Sequence, residues 1–225
     1  MINNTVKSMI HKWVFYKSNS EANTLFELNK NNLIQKFQFQ QPVKYHVEST
    51  KRVSALAQRP LRKASVLVGF IERPHGLSVV LTKRAKHLKH HPGQISFPGG
   101  KYEKSDPSIL FTAVRETQEE VGIAPEHIEI FGQMPELTTV SHFSVTPVLA
   151  FINPNHSKSI DPNEVDEAFE MPVSYMLDKK QLHSYLFTVN KDHHRVFALP
   201  YKNHFIWGMT AQIIHAMQQH IMINN

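Results

Sequence analysis

Arg115-Glu116-Thr117-Gln118-Glu119-Glu120-Val121-Gly122-Ile123, preceded upstream by Gly99-Gly100, sets a guanidinium beside three carboxylates within a span of two helical turns. Asp106-Pro107 predicts the helix start, because the Asp side chain can accept from an early backbone N–H and proline at the first position removes no needed donor. Gly122 predicts the stop. Between them Leu110, Ala113, Val114, Thr117 and Val121 recur at helical spacing as a buried stripe, which leaves Glu116, Glu119 and Glu120 together on the other side. Neighbouring carboxylates repel, and one would take up a proton unless a cation intervened. Oxygen-only ligands suit hard divalent ions, Mg2+ or Mn2+, which hold phosphate oxygens, orient a water and neutralise developing charge. The competing reading is a solvated acidic face on which Arg115 and Glu119 form an ordinary i, i+4 pair.

Gly99 and Gly100 permit close backbone approach just ahead of this helix. Taken together, Gly100, the helix start and Arg115-Glu116-x-x-Glu119-Glu120-x-Gly122-Ile123 resemble the signature of the Nudix hydrolases, in which a loop-helix-loop binds divalent metal and cleaves a diphosphate linked to another moiety. Arg115 stands nine residues beyond Asp106, one more than in the general signature. Leu81-Thr82-Lys83-Arg84-Ala85 and Gly93-Gln94-Ile95-Ser96-Phe97-Pro98-Gly99-Gly100 look like the extended motif of the coenzyme A pyrophosphatase branch, where the longer spacing is usual. Lys89 stands where that motif more often carries arginine, which keeps the charge and loses the planar fork for phosphate oxygens. The resemblance covers roughly residues 60 to 210.

The resemblance implies an α/β fold, a Nudix-type α/β/α sandwich around a mixed sheet, in a hydrolase domain over residues 60–222, while the residues before it read as an N-terminal helical extension over 1–45. It implies that Glu116, Glu119 and Glu120 hold Mg2+ or Mn2+, directly or through water, that Arg115 orients these carboxylates, and that Glu119 or Glu120 polarises the attacking water. Glu164, in Asp161-Pro162-Asn163-Glu164-Val165, is the best candidate for a further ligand or general base, with Glu136 and Glu167 as competitors. Arg84, Lys89, His91, Gly99 and Gly100 are the candidate substrate contacts. On coenzyme A or its acyl forms the products would be 3′,5′-ADP and 4′-phosphopantetheine or its acyl form. Two alternatives remain open: a Nudix hydrolase of another nucleoside diphosphate derivative such as ADP-ribose or NADH, and a non-catalytic nucleotide-binding module. The second predicts erosion of the acidic helix, whose three glutamates are intact.

The 225 residues, 41% hydrophobic and 20% charged, suit one good-sized core with an appendage. The absence of cysteine excludes disulfides, thiolate metal sites and cysteine nucleophiles, and suits a reducing compartment. No apolar run reaches membrane-spanning length, and Lys7, His11, Lys12 and Lys17 interrupt the apolar residues near the N-terminus, so a cytoplasmic address and no membrane partner are expected. The net charge of +6 comes from scattered lysines and arginines, with no basic tract, so nucleic acid is not an expected partner. A small polyanionic nucleotide of the coenzyme A type accounts for such a field. Fifteen histidines, among them His87, His90, His91, His193 and His194, show no convincing ligand spacing for a transition metal.

Around the acidic stretch, residues 65–71 and 77–81 read as two strands of a hairpin turning at Pro74-His75-Gly76, while 128–132 and 145–152 read as further strands. Phe205-Ile206-Trp207-Gly208 leads into a helix with Ile213, Ile214, Met217 and Ile221 inward, and Trp207 reads as packing. In the N-terminal extension, Leu25, Phe26, Leu28, Leu33, Ile34 and Phe37 predict one or two amphipathic helices that pack on the domain or on a second subunit, which leaves a homodimer open.

Overall fold

The computed structural model describes residues 28–38, 45–47, 60–189 and 192–221. Its centre is a pair of strands with almost no polar interruption. In β1 (Arg62–Arg73) Ala64 to Ile71 are all buried, and in β7 (Phe143–Ile152) everything after Phe143 is buried. Strands covered on both faces read as continuous apolar runs, and these two lie parallel, Leu67 opposite Val148. The hairpin partner of β1 is β2 (Gly76–Arg84), antiparallel with Phe70 opposite Val79. Strands β3 (Ile95–Ser96) and β8 (Val165–Pro172) add to β2, β4 (Gly99–Lys101) adds to β1, and β5 (Ile128–Gln133) and β6 (Leu137–Thr138) add to β7, completing a mixed eight-stranded sheet.

Each face of the sheet is covered by helix. On one side α2 (Ile109–Val121) inserts Ala113 and Val121 among Leu67, Ile71, Val80, Val148 and Ile152. On the other, α4 (Met209–Ile221) packs Ile213, Ile214 and Met217 near Val68, Val79 and Leu149. The architecture is the expected α/β/α sandwich around a mixed sheet. A second, three-stranded antiparallel sheet of β9 (His183–Val189), β10 (Asp192–Tyr201) and β11 (His204–Trp207) leads into α4, and the short α3 (Val173–Leu177) follows β8. Trp207 is half-buried at the end of β11.

Of the N-terminal extension, α1 (Lys30–Gln38) packs on the domain itself. Leu33 is fully buried, Phe37 meets Phe131 edge-on with ring centroids 6.2 Å apart, and Lys30 Nζ lies 2.5 Å from Glu129. Leu28 is also packed against the core, whereas Leu25 and Phe26 lie outside the described residues. No helix among the described residues is long and apolar enough to cross a membrane.

The expected start of α2 needs correction. Its N-cap is Ser108, in extended conformation, whose side chain accepts from the Phe111 N–H at 3.1 Å; Asp106 lies two residues earlier and is engaged elsewhere. The stop is as expected: Gly122 adopts the left-handed conformation, φ 71°, and its N–H donates to the Gln118 carbonyl.

Because Leu33 sits within the main core, Leu33→Ala is expected to lower stability by about 3 kcal/mol and Tm by about 10 °C. A thermal melt within about 2 °C of the parent would show that α1 is not part of the core.

Candidate active site

The site grows out of the junction between β4 and α2. β4 holds Gly100 opposite Ser65 and Gly99 opposite Val66 on β1, directly against the helix. Any side chain at Gly99 would overlap the Ser65 carbonyl, and any at Gly100 would overlap the Glu116 carboxylate, so the pair leaves a cradle that the acidic helix fills. The Gly99 N–H donates to Glu120 Oε2 at 3.3 Å.

Arg115 joins the loop to the helix. Its Nε donates to Asp106 Oδ1 at 2.9 Å and its Nη2 to Asp106 Oδ2 at 3.2 Å, a two-pronged pairing with a carboxylate that is itself buried. The same Nη2 reaches the Lys101 carbonyl at 3.0 Å and Glu116 Oε1 at 3.1 Å, and Nη1 reaches Glu119 Oε2 at 2.8 Å. Asp106 also accepts from the Glu103 N–H at 3.0 Å and the Thr112 hydroxyl at 2.8 Å. The Arg115 guanidinium, with those bonds from Glu103 and Thr112, holds the Asp106 carboxyl at about 2.

The three glutamates do not share one exposed face. Glu119 is 58% exposed and turned along the helix to Arg115, Glu116 is 14% exposed and also meets Arg115, and Glu120 is 5% exposed. The burial of Glu120 corrects the expected split of the helix into apolar and acidic sides. The signal was in the spacing, since Glu120 follows Ala113 by seven residues and Thr117 by three and so borders the buried stripe. Burial pushes the Glu120 carboxyl up to about 8 against the Gly99 hydrogen bond, and the charges of Glu116 and Glu164 act with burial. Burial raises Glu116 as well, opposed by Arg115 and aided by Glu119 and Glu164.

Glu164 reaches this cluster from the loop between β7 and β8. That loop is tied to the helix end by Ser159 N–H to the Val121 carbonyl and Asp161 N–H to the Glu120 carbonyl, and its Glu164 carbonyl accepts from the Ala85 N–H at 2.8 Å. The rival acids are engaged elsewhere: Glu136 accepts from the Ser144 hydroxyl, and Glu167 lies 3.4 Å from His204. Arg84, at the end of β2, is near enough to act electrostatically on Glu120 and donates through Nε to the His90 carbonyl at 3.1 Å. Residues 85–93 form a loop closed at its base by two backbone bonds between Arg84 and the Gly93-Gln94 pair. Lys89 and His91 are exposed on it; His91 has φ 55° and bonds to Gln94, and neither has a recorded contact with the acidic cluster.

The donor chemistry fits a hard divalent ion: Glu164, from the β7–β8 loop, lies close enough to Glu116 and Glu120 to help raise both beside the cradle of Gly99 and Gly100. Among the described residues, no three acidic or histidine side chains already converge in a ligand arrangement, because Arg115 draws Glu116 and Glu119 to itself.

The description of the NUDIX domain matches residues 61–190. The chain belongs to the Nudix family. It is 36% identical over 190 residues to a protein from Salmonella newport named Nudix hydrolase NudL, an alignment that covers 84% of this chain and 93% of that relative. The NudL protein of Salmonella paratyphi B is 39% identical over 156 residues, covering 69% and 81%. Among solved structures, a MutT/nudix family protein from Enterococcus faecalis aligns over 88% of this chain and 76% of its own length, with 14% identity and a TM-score of 0.44. The chain is therefore a Nudix hydrolase, an enzyme of nucleoside diphosphate derivatives in a family that generally uses divalent metal ions.

Two opposite pH dependences follow from this Nudix site. Asp106 is depressed from 3.8 to about 2, so its contribution to stability is present above about 4 and is lost as pH falls from there to about 2. Glu120 is raised from 4.5 to about 8, so its contribution is present below about 4.5 and is lost as pH rises to about 8. In metal-free buffer, Glu120→Gln is expected to melt above the parent at pH 8 and to lose that advantage by pH 4. Asp106→Asn is expected to flatten the acid limb between pH 4 and pH 2. Parallel Tm-versus-pH curves for parent and variants would contradict both.

Proposed function

We propose that this Nudix hydrolase cleaves the diphosphate of coenzyme A or its derivatives with Mg2+ or Mn2+, releasing 3′,5′-ADP and 4′-phosphopantetheine or its acyl form. One observation carries the reading. The two segments that resemble the coenzyme A branch, 81–85 and 93–100, border the same acidic helix: Gly99 bonds to Glu120, Arg84 acts on Glu120, and the Ala85 N–H holds the Glu164 carbonyl.

In this reading Glu116, Glu119 and Glu120 hold the divalent ion, which would supply neutralisation of the charge developing on the phosphate oxygens. Water attacks one phosphorus of the diphosphate, and the bond from that phosphorus to the bridging oxygen breaks. Glu119 or Glu120 polarises the water, and Glu164 acts as general base or as a further ligand. Arg115 keeps Glu116 and Glu119 oriented through the bonds already described. Arg84 contacts a phosphate, with Lys89 and His91 on the adjoining loop as further substrate contacts and the Gly99-Gly100 backbone allowing close approach. All these groups come from one chain, so a homodimer is not needed to complete the cluster. The net charge of +6 favours an anionic substrate, and the cysteine-free composition suits a cytoplasmic setting.

The test is turnover of a panel of coenzyme A, acyl-coenzyme A, ADP-ribose and NADH with Mg2+ or Mn2+, products identified by mass. Coenzyme A or its acyl forms are expected to be cleaved fastest, to 3′,5′-ADP. Equal or faster cleavage of ADP-ribose or NADH would overturn the substrate assignment. Glu119→Gln is expected to lower turnover about a hundredfold. Near-parental turnover by that variant would overturn its assignment as a ligand.

A further inference from the structure

Thr112 is fully buried in the first turn of α2, and the mechanism above gives it no task. Its hydroxyl has one proton and two acceptors within range: Asp106 Oδ2 at 2.8 Å and the Ser108 carbonyl at 3.4 Å. The nearer, charged acceptor takes the proton. The other buried threonine of this helix is an internal control. Thr117 bonds back to the Ala113 carbonyl one turn earlier at 2.7 Å, as a helical threonine ordinarily does. Thr112 instead points its hydroxyl out of the helix and into the loop carboxylate.

Asp106 is the hub that this bond fixes. Its Oδ2 accepts from the Glu103 N–H, the Thr112 hydroxyl and Arg115 Nη2, while Oδ1 takes Arg115 Nε. The Glu103 bond ties the carboxylate to its own loop, and the Thr112 bond is the second restraint, from the helix that bears the acidic cluster. Thr112, Arg115, Glu116 and Glu119 fall at i, i+3, i+4 and i+7, so the anchor lies one turn from Glu116 and two from Glu119 along the same strip of helix.

We infer that Thr112 is a positioning residue for the acidic cluster: its hydroxyl orients Asp106, Asp106 orients the Arg115 guanidinium, and Arg115 sets where Glu116 and Glu119 stand when a divalent ion arrives. The inference rests on the metal-binding reading proposed above. A hydrogen bond that served stability alone would change the melting temperature and leave ion affinity untouched. A positioning bond changes the affinity in protein that is still folded.

The experiment measures Mn2+ binding, by the paramagnetic resonance signal of the free ion, on the full chain and on Thr112→Val, Thr112→Ala and Thr112→Ser, well below their melting temperatures and with the fold checked by circular dichroism. Thr112→Ser keeps the hydroxyl and is expected to bind within about twofold of the parent, while Thr112→Val and Thr112→Ala bind about tenfold more weakly. If Thr112→Val does not fold, the serine and alanine variants, which differ by one oxygen atom, carry the comparison. Unchanged affinity in the folded alanine or valine variant overturns the inference. So does an equal loss in the serine variant, which would implicate the methyl group instead of the hydroxyl. Absence of saturable Mn2+ binding in the parent overturns the metal-site reading, and this inference with it, whereas parental binding with unaffected variants overturns the inference alone.

Discussion

Arg115 and Asp106 form the contact on which the local architecture depends. A buried ion pair costs desolvation on both sides and is held only where the remaining donors and acceptors are filled. Here they are filled: Asp106 receives two guanidinium bonds, a backbone N–H and a hydroxyl, and Arg115 also reaches the Lys101 carbonyl, Glu116 and Glu119. The pair clamps the loop of residues 101–106 to the middle of α2. That clamp keeps β4 against the helix, where a side chain at Gly100 would have to displace the Glu116 carboxylate, while the β1 backbone at Ser65 and Val66 excludes one at Gly99.

The same closeness sets the electrostatics. With β4 pressed on the helix, Glu120 is shut away from water with one backbone N–H as its recorded partner, and burial raises its carboxyl. Opposing burial would be simple with a cation nearby, yet the guanidinium of Arg115 is directed to Asp106, Glu116 and Glu119, and Arg84 exerts the weaker influence on Glu120. The helix thus has carboxylates neutralised by Arg115 at Glu116 and Glu119, and at Glu120 a buried carboxyl on which Glu164 of the β7–β8 loop also acts. Natural chains depart from the rule against poorly compensated buried ionisable groups chiefly at functional sites.

The parts of this fold that were legible in the sequence are those whose signal is local. The apolar runs in β1 and β7 reach strand length without interruption, and α2 shows both helical period and a glycine stop. The parts that were not legible depend on distant partners. β8 reads Val165-Asp166-Glu167-Ala168-Phe169-Glu170, a charged string whose strand character comes from pairing with β2. β10 carries Asp192, His193, His194 and Arg195 at its start, which hides its pairing with β9. Asp106 resembled a cap because Asp-Pro commonly opens a helix; the carboxylate was drawn instead to a guanidinium nine residues on, and Ser108 took the cap. The family likeness singled out the helix and the preceding loop that the structure brings together. It anticipated that Arg115 would hold the helix carboxylates, as it does Glu116 and Glu119, but not that Glu120 turns inward.

That division bears on how the site can accept a divalent ion. Glu116 and Glu119 are held by a group whose pairing with Asp106 does not depend on them, so either carboxylate can exchange Arg115 for another cation while the guanidinium keeps its buried anchor. Glu120 has no such exchange to make: burial lifts its carboxyl to about 8, so at neutral pH it is largely protonated and would release that proton as a cation arrived. An ion entering beside Glu120 would relieve its repulsion with Glu116 and Glu164, and the exposed Glu119 could follow by side-chain rotation alone. In the proposed metal site the fixed members of the cluster would supply the attraction and the movable ones would complete the coordination, with the Asp106–Arg115 clamp as the common frame.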